Sequence, residues 1–218
     1  MSQITKATLQ FLKEIKENNN KPWFEKNKPR YLSVKKELQD FVDDWLHACM
    51  SFDESLRDEH KGYQFRIYRD ARFAKGRPYK NNLGLMLGKG GRRAMHEHAG
   101  YYLHIEPGNY FLAGGSYMPP KPWLNAIRQS IDESPKNIKK ILNNKTFKKH
   151  FALEGPRLKT APRDYPKDHP EIELLKYKGM VAIHYFKDKE LMGDDFFDHL
   201  VDLCKMMKPF NVYLNRLV

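Results

Sequence analysis

Apolar residues recur at helical spacing along the first fifty positions and at strand spacing further on, and this switch sets the expected architecture. Ile4, Thr8, Phe11, Leu12 and Ile15 fall on one face of a helix over 4–17. Asn18-Asn19-Asn20 stops that helix, and Pro22 suits the first turn of another. Pro29 restarts the pattern, and Tyr31, Val34, Leu38, Phe41 and Trp45 form a three/four stripe that reaches Cys49. Over 62–70 the period becomes two. Tyr63, Phe65 and Ile67 face one way, and Gln64, Arg66, Tyr68 and Asp70 face the other. Arg69 falls on the apolar side of this strand and needs a partner there. Residues 83–88 read as a shorter strand, with a polar loop from Gly88 to Gly100. A hairpin follows, in which Tyr101, Leu103 and Ile105 alternate with Tyr102, His104 and Glu106. Glu106-Pro107-Gly108-Asn109 makes its turn, and Tyr110 to Gly115 its return strand.

Helical spacing then resumes with Leu124, Ile127 and Ile131, and again with Ile138, Ile141 and Leu142 behind Ser134-Pro135. Phe147 and Phe151 mark a short helix, and 155–168 a Pro-rich connection. Asp168 and Glu171 read as a capping box with Pro170 in the first turn. Gly179 to Phe186 is a strand. Asp194 or Asp195 starts a last helix with Phe196, Phe197, Leu200, Leu203, Cys204 and Met207, and Pro209 opens a separate terminal turn. Helices, strands, helices, strand and helix in that order do not alternate as βα units. The expectation is an α+β fold over 1–218 as one domain. Its central sheet is mainly antiparallel, flanked by N-terminal, middle and C-terminal helices.

Composition narrows the function classes. No apolar run approaches the roughly 18 residues of a membrane span, and Met1 to Lys6 lead into an amphipathic helix rather than a signal peptide. A cytoplasmic location and no membrane partner are expected. Cys49 and Cys204 sit on apolar helix faces as buried thiols, and the absence of a CxxC pair excludes a thiolate zinc site. The net charge is +12, and it is unevenly spread. Lys61 to Arg93 holds ten Lys or Arg against one acid, Asp70. Lys136 to Lys149 holds six Lys and no acid, a solvated basic face, whereas Asp188 to Asp202 is mostly acidic. Clustered charge of one sign raises the local concentration of anions.

Several motifs carry a resemblance. They are Asn18-Asn19-Asn20-Lys21-Pro22-Trp23-Phe24-Glu25, Arg66-Ile67-Tyr68-Arg69-Asp70-Ala71-Arg72-Phe73 and Pro78-Tyr79-Lys80-Asn81-Asn82. Tyr101-Tyr102-Leu103-His104-Ile105-Glu106-Pro107-Gly108, Lys167-Asp168-His169-Pro170 and Lys208-Pro209-Phe210-Asn211 extend it. Together the chain resembles the uncharacterised bacterial and fungal family filed as domain of unknown function 2461. The resemblance spans nearly the whole length and implies one domain. It brings no assigned activity and no catalytic residues, so candidate chemistry rests on the residues themselves.

If the two central strands neighbour each other, Arg66, Tyr68, Asp70, Tyr102, His104 and Glu106 could line one concave face. The loop that follows adds Arg72, Lys75, Arg77, Lys80, Asn81 and Asn82, whose charges and amides suit phosphate or carboxylate. In the leading reading, Arg66, Arg69, Arg72, Lys80, Asn81 and Tyr102 bind an anionic or phosphate-bearing small molecule. Asp70, Glu106 and His104 then orient the bases or move protons. A second reading is nucleic-acid binding without sequence preference, with Tyr63, Phe65, Tyr68, Phe73 and Tyr79 as stacking residues. A third is a noncatalytic partner-binding protein. Gly88-Lys89-Gly90-Gly91 lacks P-loop spacing, because Gly84 and Gly88 enclose three residues and Lys89 precedes glycine. His96, His98 and His104 lack a helical metal-ligand spacing, so neither metal nor cofactor is expected. No GxSxG elbow is present.

Overall fold

A computed structural model describes residues 3–57 and 62–218. Lys61, which opens the basic segment, lies outside the described residues, as do Met1 and Ser2 and the side chains of Phe73, Arg92 and Arg93. Thr5 caps α1 (Lys6–Glu17), whose stripe positions Thr8, Phe11, Leu12 and Ile15 are buried, and Ile4 is buried just ahead of the cap. The three asparagines then divide their work. The Asn18 side chain donates back to the Glu14 carbonyl at 3.0 Å, ending α1. Asn20 caps α2 (Lys21–Lys26) by accepting from the Trp23 N–H at 3.0 Å. Asn19 reaches across the chain to Tyr79, donating to its carbonyl at 2.9 Å and accepting its N–H at 3.0 Å. The long helix α3 (Lys28–Met50) buries Tyr31, Val34, Leu38, Phe41, Trp45 and Cys49, as its stripe predicts.

Among the described residues the sheet has six strands in the order β1-β2-β3-β4-β6-β5, and every neighbouring pair is antiparallel. These are β1 (Tyr63–Gln64), β2 (Leu83–Leu87), β3 (Gly100–Glu106), β4 (Asn109–Gly115), β5 (Ala152–Glu154) and β6 (Val181–Phe186). Gly108 takes the left-handed position of the β3–β4 turn at φ 83°. Leu83, Leu85 and Leu87 alternate into the core, as do Tyr101, Leu103, Ile105, Tyr110 and Leu112. They pack beneath α3 and the C-terminal helix α9 (Phe196–Asn215). Between the central strands and α9 lie α4 (Lys121–Glu133), α5 (Lys136–Leu142), α6 (Lys145–His150), α7 (Ile172–Leu175) and α8 (Asp188–Leu191). The fold is therefore α+β, with helices flanking an antiparallel sheet. Among the described residues, no helix is long and apolar enough to cross a membrane.

Three local expectations are corrected. The strand expected over 62–70 leaves the ladder after Phe65, whose N–H donates to the Gly84 carbonyl at 2.9 Å. Beyond it the chain pairs with its own return segment. The Arg69 N–H donates to the Pro78 carbonyl at 2.8 Å and the Lys80 N–H to the Ile67 carbonyl at 2.7 Å. Local hydrogen bonds there outcompete a third long strand. The capping box at Asp168 and Glu171 is absent, and His169 Nδ1 accepts the Glu171 N–H instead. Pro209 does not open a separate turn but sits inside α9. An interior proline ordinarily costs about 3 kcal/mol. The tertiary contacts beyond it offset that. Phe210 and Leu214 are fully buried, and Asn211 Nδ2 donates to the Gly100 carbonyl at 3.0 Å. Asn215 pairs with both backbone groups of Ala99 at 2.7 and 3.0 Å.

Candidate functional site

The sheet face turned away from α3 and α9 carries the side chains that alternate with the core positions. By register these are Gly84 and Met86 on β2, Tyr102, His104 and Glu106 on β3, Phe111 and Ala113 on β4, and Ile183 and Tyr185 on β6. All of them except Glu106 and Tyr185 floor a groove of about 580 Å³ whose walls include Phe65, Lys80, Met95, His98, Tyr117 and Glu154. That volume suits a small organic ligand. Gly84 lets the Tyr102 ring lie across β2, because a Cβ at that position would stand 2.7 Å from the Tyr102 ring and hydroxyl. Phe65 meets the Tyr102 ring edge-on with centroids 5.8 Å apart, and Phe111 stacks on the His104 imidazole at 4.5 Å.

A polar chain crosses this apolar surface. The Tyr102 hydroxyl is 3.0 Å from His104 Nδ1, and His104 Nε2 is 3.3 Å from Glu106 Oε2. Asn81 donates its amide to Glu106 Oε1. Arg69 in turn donates to Asn81 Oδ1 at 3.2 Å and to the Tyr79 carbonyl at 2.7 Å. The partner that Arg69 needs is therefore this loop backbone and its amide. With the carboxylate on Nε2, the imidazole carries its proton there and offers Nδ1 as the acceptor. Asn82 Nδ2 competes for the same Nδ1 at 3.2 Å. Burial lowers the His104 pKa below the ordinary histidine value and outweighs the hydrogen bond and charge of Glu106, which pull it up. Burial also raises the Tyr102 hydroxyl to about 12, with smaller contributions from Tyr117 and Glu106. At neutral pH the pair is a neutral phenol against a neutral imidazole.

The candidate residues separate into three places. Lys80, Asn82, Tyr102 and His104 line the groove, with Asn81 and Glu106 holding His104 from one end. Asp70 and Arg72 instead pair with each other in a two-pronged contact at 2.7 and 3.0 Å, with the Arg72 side chain 79% exposed. The Arg72 hydrogen bond holds the Asp70 carboxyl below its usual range, and Asp70 also starts the short helical turn Ala71–Phe73. Arg66 and Tyr68 face a separate cleft of about 360 Å³ with Lys28, Tyr31 and Lys35. The concave face expected to join all six residues therefore holds Tyr102, His104 and Glu106 without Arg66, Tyr68 and Asp70. The cause is the early exit of the chain from the ladder, which puts Phe65 over the sheet and turns Arg66 outward.

Of the proposed stacking aromatics, Tyr79 is buried and stacked on Phe24 at 4.1 Å, Phe65 walls the groove, and Tyr68 is 43% exposed. His98 lines the groove, and its pKa is lowered by burial and by Lys89. His96 lies against the Tyr117 carbonyl at 3.1 Å. Among the described residues, no three His, Cys, Asp or Glu side chains are grouped to hold a metal ion. Sequence reading missed the apolar walls contributed by Met86, Met95, Phe111, Val181 and Ile183. The alternation along 101–115 carried a usable signal for Phe111, which falls on the same face as His104 once the hairpin register is drawn.

Residues 7–213 match one protein family, whose description is conserved hypothetical protein (DUF2461). No curated protein and no solved structure matches the chain.

Proposed function

We propose, for a chain that belongs to the DUF2461 family, that the open sheet face binds a small organic molecule with a flat apolar body and an anionic end. The observation that carries this reading is the polar chain Tyr102–His104–Glu106, whose Tyr102 and His104 are set into the floor of a mainly apolar groove. Buried polar chains braced from behind are costly to build and suit ligand orientation. Lys80 stands at the rim with its Nζ 5.9 Å from the centre of the Phe65 ring, so a carboxylate or phosphate at Lys80 leaves the attached ring against Phe65 and Phe111. Of the four basic residues first considered, Lys80 takes the anion, Arg69 braces the loop, and Arg66 and Arg72 lie elsewhere. Calorimetric titration with benzoate and benzoylformate tests this. Lys80→Ala and Phe111→Ala should each weaken binding, and Arg72→Ala should not. Binding that survives both groove variants would refute the reading.

A second reading rests on the cleft beside α3. Lys28, Lys35 and Arg66 surround the exposed Tyr68 ring there, an arrangement suited to a phosphate chain with a base stacked on the tyrosine. Fluorescence anisotropy with an oligothymidylate should show affinity falling steeply between about 50 and 200 mM salt. It should also show loss of binding in Tyr68→Ala. Salt-insensitive binding, or none, counts against this mode.

A further inference from the structure

The spacing of Tyr102, His104 and Glu106 along one strand face is that of an acid/base device. Residues two apart on a strand share a face. Here each side chain hands a hydrogen bond to the next: hydroxyl to Nδ1 at 3.0 Å, then Nε2 to carboxylate at 3.3 Å. This is the hydroxyl–imidazole–carboxylate order by which an imidazole accepts a proton while a carboxylate steadies the charge that forms. The brace behind it is complete: Asn81 holds the free oxygen of Glu106, and Arg69 holds Asn81. The hydroxyl end opens into the groove, next to the Phe65 ring over which Lys80 lies.

We infer that the groove catalyses keto–enol tautomerisation of an aromatic 2-oxo acid, with Tyr102 as the catalytic proton donor and acceptor. The inference rests on the groove being the ligand site. The substrate carboxylate sits at Lys80, its ring lies against Phe65 and Phe111, and the carbon beside the carbonyl meets the Tyr102 hydroxyl. The C–H proton passes to the Tyr102 oxygen as the Tyr102 proton passes to His104 Nδ1. The C–H electron pair becomes the new C=C bond, and the carbonyl electrons move onto oxygen. The relay then runs backwards. His104 returns its proton to Tyr102, and Tyr102 delivers one to the enolate oxygen. One C–H bond is exchanged for one O–H bond, so atoms and electrons balance without a co-reactant. Burial supports the resting state, because it keeps the Tyr102 proton on the phenol and leaves His104 neutral and able to accept. Glu106 acts through His104 and is a positioning residue.

The test uses the full chain with phenylpyruvate in D2O, following loss of the C3 proton signal by NMR beside a protein-free buffer. Exchange should exceed the buffer rate, and Tyr102→Phe should lower the enzymatic rate by about 10²–10⁴-fold. The same variant should still bind benzoylformate, which has no enolisable C–H. Glu106→Gln should lower the rate and move the acid limb of the pH–rate profile to lower pH, because the carboxylate that favours the imidazolium is gone. A purely structural role for Glu106 would leave that limb in place. If benzoylformate binds in the groove but exchange stays at the buffer rate, or Tyr102→Phe exchanges as fast as the parent, the tautomerase inference falls and the ligand reading stands. If neither compound binds, both fall.

Discussion

Asn19→Ala should destabilise the protein by about 2 kcal/mol, although Asn19 lies in a short polar connector. Its side chain makes the two hydrogen bonds that a neighbouring strand would make to Tyr79, at 2.9 and 3.0 Å. Tyr79 is only 4% exposed, so water does not replace them. The Tyr79 carbonyl keeps the Arg69 guanidinium at 2.7 Å, and the N–H is left without its acceptor. A buried donor stripped of its partner costs about 1–3 kcal/mol. For a chain of this length, about 2 kcal/mol lowers the melting temperature by roughly 4–8 °C. Urea denaturation should show the midpoint falling with an unchanged slope. Asn19→Asp keeps an acceptor for the N–H but turns a second acceptor towards the Tyr79 carbonyl, so it should be destabilising as well. The consequence extends to the groove, because Tyr79 precedes Lys80 and Asn81, so Asn19→Ala should also weaken benzoate binding. A midpoint within about 0.5 kcal/mol of the parent, the ordinary scatter of surface changes, would refute the claim that Asn19 serves as a strand partner.

Three further outcomes follow from the same geometry. Gly84→Ala should cost about 1–3 kcal/mol by pressing on the Tyr102 ring, and adding Tyr102→Ala should relieve part of that cost in a double-mutant cycle; strict additivity of the two changes would contradict the contact. Burial is the main cause lowering the pKa of His98, His104, His150 and His184, so the unfolded chain takes up protons near pH 6.5 before the folded one does. Stability should therefore fall as pH drops from about 7 towards 5, and a flat urea midpoint across that range would contradict it. Pro209→Ala should raise the melting temperature by restoring a backbone N–H inside α9, unless the segment after it unwinds, which circular dichroism would reveal as lost helix.

The family assignment and the antiparallel α+β plan were legible in the chain because both depend on local periodicity and specific motifs. The stripes of α1 and α3 are buried where their spacing puts them, since a three/four stripe has only one apolar face to hide. The β3–β4 hairpin is equally local, with proline and glycine at its turn and alternation on both sides. The same alternation already placed Tyr102, His104 and Glu106 on a common face. Their order as a hydrogen-bonded chain depended on side-chain geometry.

What local pattern could not decide was where the segment after Phe65 goes. Period two persists through Ile67 and Tyr68, yet the chain leaves the sheet, because its backbone finds partners at Pro78 and Lys80 and the Asn19 amide completes the pairing at Tyr79. Those partners lie nine, thirteen or sixty residues away, and nothing in the spacing of 62–70 announces them. That exit sends Arg66 and Tyr68 to one cleft, Asp70 and Arg72 to the surface, and Phe65 over the sheet. The continuation of α9 through Pro209 has the same cause, since Asn211, Asn215 and Leu214 hold the helix to Gly100, Ala99 and Trp123. The sequence by itself determined which residues face inward within each element. Only the tertiary structure decided which polar faces meet, because that choice belongs to hydrogen bonds between segments far apart in the chain.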